Sequence, residues 1–196
     1  MKNSMFALLL LSFLVAGVCV AGEDFRDKNL AKKDFTGKSL DDADFSGATL
    51  TTARFWDASL KNASFKDADI ISASFIGANL TGADMRGTRK IGGLENTNLS
   101  KTNWEGCKKM SGASKCNFQG ANLKKAVLEG IFNSCDFTGA DLRGANLRGA
   151  TINERQKSQW KGAIYDEDTA FPNGCFDPKE EGMILAKPEV KKDDKK

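Results

Sequence analysis

The sequence predicts an all-β solenoid with four sides to each coil. Three observations predict it. Large apolar residues recur at every fifth position, a small residue stands two places before most of them, and Phe alternates with Leu at the large position.

The chain opens on a segment that reads as a targeting signal rather than as part of the fold. Lys2 supplies a positive start, Met5 to Val20 is apolar apart from Ser12, and Cys19 and Ala21 place small residues where a signal peptidase cuts. Cleavage after Ala21 is expected. The rival readings are an uncleaved anchor, for which the run is shorter than the ~20 residues a spanning helix needs, and lipidation at Cys19, for which Val18 stands where a small residue belongs. After cleavage no stable membrane anchor remains, and the chain is expected in the periplasm or thylakoid lumen.

From Glu23 the chain parses in fives. The centres are Phe25, Leu30, Phe35, Leu40, Phe45, Leu50, Phe55, Leu60, Phe65, Ile70, Phe75, Leu80 and Met85. From Ala43 to Ala83 an alanine stands two places before each centre. Five residues advance an α-helix face by about 140°, so these centres would spiral around a helix. On a strand an odd period would send them to alternate faces. The period is coherent only if the chain turns once per unit, with the centre and the small residue inward and the polar positions outward. The Phe/Leu alternation has a ten-residue period, which stays in register only with an even number of sides. Phe25, Phe45 and Phe65 then stack on one side, Phe35, Phe55 and Phe75 on the opposite one, and Leu30, Leu40, Leu50, Leu60 and Leu80 fill the sides between.

Units such as Ala78-Asn79-Leu80-Thr81-Gly82, Ala140-Asp141-Leu142-Arg143-Gly144 and Ala145-Asn146-Leu147-Arg148-Gly149 resemble the A(D/N)LxX signature of pentapeptide-repeat proteins. The resemblance implies a right-handed quadrilateral parallel β-helix with four pentapeptides per coil, and right-handed crossovers are also the general expectation. Residues 22–154 would form this repeat block, about 32 Å long at a strand-type spacing of ~4.8 Å per coil. Only stacking makes such coils stable.

The register slips at Thr88–Ile91, Cys107–Lys115 and Ile131–Ser134. Counting sides from Glu23 puts the slips on sides two and three, along one edge that Arg89, Lys90, Lys108, Lys109 and Lys115 make basic. That edge is the candidate interaction surface; the rival reading is tolerated loop variation. Export makes disulfides plausible for Cys107, Cys116, Cys135 and Cys175. The count puts Cys116 and Cys135 at the inward small position of side four in adjacent coils, within the Cα separation a disulfide needs. Cys107 would then pair with Cys175; Cys107–Cys116 and four free thiols remain alternatives.

Repeats end after Ile152. Residues 155–178 are expected to form a short helical or irregular C-terminal cap, with a helix over 153–161 and Trp160, Ile164, Tyr165, Phe171 and Phe176 covering the core. This stretch is similar to the segment following the repeats in cyanobacterial and thylakoid-lumen members. Residues 179–196 read as a charged, disordered tail. With little chain left for an N-terminal cap, a second protomer could cover the first coil, a homodimer through a terminal coil.

Composition narrows function. The chain carries 29 Lys and Arg against 26 Asp and Glu, a net charge of +3, and no histidine. A nucleic-acid partner would call for a strongly basic face, and the absence of His removes the commonest general base and metal ligand. The outward Asp residues read as solvated or turn-supporting, so neither catalysis nor a metal site or cofactor is expected. Some members of the resembled family mimic DNA and protect topoisomerases, a role that suits a strongly acidic cytoplasmic protein; the +2 of the repeat block (19 Lys and Arg, 17 Asp and Glu) and the export signal disfavour it. The expectation is a non-enzymatic structural or protein-interaction scaffold outside the cytoplasm, its protein partner unnamed.

Overall fold

The structure, a computed structural model, describes residues 22–88, 91, 93–152, 157–172 and 176–187. One pentapeptide, Ala43 to Gly47, shows how the chain is built. Phe45 N–H donates to Ser64 O of the next coil at 2.7 Å, and Asp44 N–H donates back to Glu23 O at 2.9 Å. Gly47 N–H donates to Lys66 O at 2.9 Å, and Ala48 N–H closes the turn on Phe45 O at 3.0 Å. The remaining amide, Ser46 N–H, donates to Asp44 Oδ1 at 2.9 Å. The same side-chain acceptor serves Thr36 from Asp34, Thr81 from Asn79, Ser100 from Asn98 and Thr138 from Asp136. Asp and Asn therefore recur before the centre because an Asx oxygen can satisfy the amide that the ladder leaves over. The third turn residue has positive φ, as at Gly47 (67°) and Asp57 (54°), which is why Gly, Asn and Asp crowd this slot.

The coils stack as parallel bridges twenty residues apart, Asp24↔Asp44↔Ser64↔Asp84 on side one and Ser39↔Ser59↔Asn79 on side four. The chain forms the right-handed four-sided β-helix. Both expected phenylalanine columns are present. Phe25, Phe45 and Phe65 stack at 4.6 and 4.9 Å, and Phe35, Phe55 and Phe75 at 4.9 Å each. The columns meet edge-on across the core at 5.6–5.8 Å. Every centre from Leu40 to Met85 has no exposed surface. Farther along, Phe118, Phe137 and Trp160 form a third stack on side four, at 4.7 and 4.2 Å.

Where the register slips, the ladder shortens and extended strands replace single bridges. Strands β1 (Ala113–Ser114), β2 (Val127–Asn133) and β3 (Asn146–Ile152) form a parallel sheet in that order, with an irregularity between Val127 and Glu129. Strands β4 (Ile164–Tyr165) and β5 (Ile184–Leu185) pair in parallel at the C-terminal end.

The C-terminal segment differs from the sequence-based expectation. The described residues contain no helix: 157–161 are bridge and turn, and 153–156 lie outside them. Nor does the stack stop near 154. Gln159 pairs with Asp136, Ile164 with Asp141 and Ala170 with Asn146, so the segment adds further sides to the coil. Ser158-Gln159-Trp160-Lys161-Gly162 and Ala163-Ile164-Tyr165-Asp166-Glu167 are repeat units with aromatic centres, and Trp160 and Tyr165 are buried. Residues 179–187, expected to be a disordered tail, hold a turn closed by Gly182 N–H to Lys179 O and the strand β5; 188–196 lie outside the described residues.

Candidate interaction surface

Side three carries one outward position per coil directly before the centre. Its column reads Asp34, Arg54, Ser74, Gly93, Gly112, Ile131 and Thr151, with each member placed by the ladder pairs of its neighbours. Above the slips it is conventional: Arg54 faces Asp34 at 3.6 Å and lies 5.3 Å from the Trp56 ring, whose Nε1 donates to Ser74 Oγ at 2.8 Å. Below, two glycines expose backbone. A Cβ on Gly112 would fall 2.6 Å from Ile131 O, and its φ is +98°, so this close approach admits only glycine. The three large apolar side chains most exposed away from the C-terminal strand border this side: Trp56 (40%), Ile71 (38%) and Ile131 (55%).

Lys108 and Lys115 are exposed on the same edge, Lys115 with φ +53°, while Lys109 is ion-paired with Glu129. Arg89 and Lys90 lie outside the described residues. The structure thus brings the described lysines of the expected edge to sides two and three and adds an apolar component that the charge count overlooked. A signal for it existed: Trp56 and Ile71 each follow a centre directly, in a slot that is mostly polar elsewhere, and Ile131 sits inside a slip.

The cysteines take the predicted positions without the predicted bonds. Cys116 and Cys135 stack on side four, but both are buried free thiols, Cys116 Sγ donating to Ser114 O at 3.3 Å and Cys135 Sγ to Asn133 O at 3.4 Å. The two thiols are neighbours, each the main influence on the ionisation of the other, with no bond between them. Cys107 is also a free thiol, 3.9 Å from Thr88 Oγ1, and Cys175 lies outside the described residues. The Cys116 thiol and burial push Cys135 well above the ordinary thiol range, and burial raises Cys107. Both therefore stay protonated near neutral pH, which suits packing rather than reactivity.

A depression of about 430 Å³ lies between Lys124, Lys125, Arg143, Asp166, Glu167 and Lys187. Three of its charged side chains are already engaged. Lys124 and Arg143 reach Asp141 at 3.3 and 2.8 Å, and Asp166 accepts Gly144 N–H at 2.8 Å. Burial opposes ionisation of Asp141 and Asp166, yet these hydrogen bonds hold both below the usual carboxylate range. Among the described residues no cluster of three metal-ligating side chains occurs.

A family profile described as pentapeptide repeats matches residues 24–57, 51–87 and 114–154 in eight copies, more than half of the chain. No curated protein matches. Among solved structures, a pentapeptide-repeat protein of the Arabidopsis thaliana thylakoid lumen is 30% identical over 67% of this chain and 73% of its own, with a TM-score of 0.32. HetL, a pentapeptide-repeat protein involved in heterocyst differentiation regulation in the cyanobacterium Nostoc sp. strain PCC 7120, is 20% identical over 90% of both chains, with a TM-score of 0.46. QnrB1, a plasmid-mediated fluoroquinolone resistance protein, is 19% identical over 87% of this chain and 92% of its own, with a TM-score of 0.28.

Proposed function

Because the chain belongs to the pentapeptide-repeat family, we propose that it is a non-enzymatic protein-interaction scaffold of an extracytoplasmic compartment and that sides two and three form its docking surface. The observation that carries this reading is a line of exposed apolar side chains along one edge, Trp56 and Ile71 in the second and third coils and Ile131 in the sixth, with Lys108 and Lys115 projecting from the fifth. Apolar anchors fringed by charge are what a protein interface uses, whereas a regular polar face of the solenoid offers none. The partner that fits is a protein surface with apolar side chains and acidic groups. Support for export is the N-terminal pattern of Lys2, the apolar run to Val20 and the small residues Cys19 and Ala21. Support for a non-enzymatic role is chemical: the chain has no histidine, and its outward Asp residues serve turn amides.

The test compares surfaces rather than seeking any binder. Capture from the native compartment is run with the parent chain, with Ile131→Glu plus Lys108→Glu and Lys115→Glu, and with a control reversal at Lys66 on side one. The edge variant is expected to lose partners that the parent and the control retain. An identical set of partners with all three would refute the assignment.

A further inference from the structure

From the second coil onward the inward position before each centre is small. In that coil it is Ala43, Ala48, Ala53 and Ala58, each at most 1% exposed. The coil from Glu23 to Asp42, the first of the described residues, departs from this on all four sides, with Glu23, Lys28, Lys33 and Lys38. Its backbone does not depart. Lys28, Lys33 and Lys38 N–H groups close their turns on Phe25, Leu30 and Phe35 carbonyls at 3.2, 3.1 and 3.1 Å, as Ala43 and Ala48 do on Leu40 and Phe45 at 3.2 and 3.0 Å. Their carbonyls accept Thr49, Arg54 and Ser59 N–H at 2.9 Å each. Each lysine Cβ therefore starts in the column that alanine fills below, where the stem of a lysine finds room only above the coil.

Lys28 shows where such a stem goes. Its ammonium lies 5.2 Å from the centroid of the Phe25 ring, the end of one aromatic column, and donates to Asp24 O. In the next coil the equivalent carbonyl, Asp44 O, is the acceptor for Phe25 N–H at 2.7 Å. Lys28 thus takes both the ring face and the backbone acceptor that a coil stacked above would require. The end is nearly closed: Phe25, Leu30 and Phe35 are only 8–9% exposed.

We infer that Lys28, Lys33 and Lys38 close the N-terminal end of the solenoid against a second copy of the chain. Their stems shield the terminal rings while the ammonium groups stay in water. A protomer stacked there would have to bury three ammonium groups of this coil against the single carboxylate of Glu23, which leaves uncompensated charge and is strongly unfavourable, and inward lysines are a recurrent protection of exposed β edges. The end where a second protomer was expected is thereby the one barred to it.

The experiment uses chain purified from an export-competent host, so that any N-terminal processing has occurred, and reads mass by sedimentation over a range of concentrations. K28M/K33M/K38M keeps the stems and removes the charge; K28R/K33R/K38R keeps both. The Met variant is expected to associate, its apparent mass rising with concentration towards twice that of the parent, while the Arg variant follows the parent. If the triple Met variant fails to fold, K28M, K33M and K38M are measured singly, and a rise in any of them supports the inference. Parent-like mass in every folded Met variant, or association of the Arg variant, overturns it.

Discussion

Replacing Phe55 by Ala tests whether the stacked rings carry the stability of the N-terminal coils. Phe55 has no exposed surface and touches four rings: Phe35 and Phe75 stacked at 4.9 Å, Phe45 and Phe65 edge-on at 5.6 and 5.7 Å. Truncating a buried Phe to Ala costs about 3–5 kcal/mol, and aromatic pairs add about 0.5–1.5 kcal/mol each beyond buried area. The neighbours are held by their own ladders and collapse little, so F55A should lose about 5 kcal/mol. Phe25 provides the internal comparison. It is 8% exposed, with one stacked partner at 4.6 Å and one edge contact at 5.8 Å. F25A should lose about 2–3 kcal/mol. Urea unfolding followed by circular dichroism reads both, and because coils couple only to neighbours, F55A should also broaden the transition or split it in two. Equal losses at the two sites, or a loss at Phe55 below about 2 kcal/mol, would refute the view that the columns act as continuous stacks.

Glycines separate backbone strain from crowding. Gly37→Ala meets nothing within 4 Å and suffers only its φ of +67°, a cost of about 1–2 kcal/mol, whereas Gly112→Ala must also displace Ile131 backbone and should cost clearly more; matching midpoint shifts would count against the close approach. Acid should destabilise the fold. For Asp84, Asp136 and Asp141 burial favours the neutral acid, but hydrogen bonds from Arg86, Thr138 and Arg143 outweigh it and hold all three below the usual carboxylate range. Their contribution is present above the unfolded value near ~4 and is lost as pH falls through the folded ones, so the melting temperature should drop from about pH 5 downward, and a flat profile to about pH 3 would contradict the assignment. Peptide mapping without reductant should recover Cys107, Cys116 and Cys135 as free thiols that react only after unfolding; a linked Cys116–Cys135 peptide would show that the coils can shift enough to bridge them.

The regular part of the fold was legible because one physical rule repeats. Inward slots accept only certain sizes, so Phe, Leu and Ala at fixed spacing expose the coil, and the alternation exposes its number of sides. The C-terminal coil obeys the same rule but with Trp160 and Tyr165 as centres and Ser158 and Ala163 as small residues. It went unread because the link after Ile152 is longer than a unit, which hides the phase. The edge was only half legible, since a charge count finds Lys108 and Lys115 but a slip removes the frame that says whether Ile131 points in or out. The cysteines show the limit from the other side: column and coil followed from counting, whereas the bonding of two neighbouring thiols depends on redox state and sulfur geometry, which a one-dimensional register does not contain. The lysines of the first coil were visible throughout as missing alanines. They became informative only when the turn hydrogen bonds showed an interior backbone beneath them. In a solenoid an exception to the inward rule is therefore worth more than another instance of it, because the repeat itself supplies the expectation that the exception breaks.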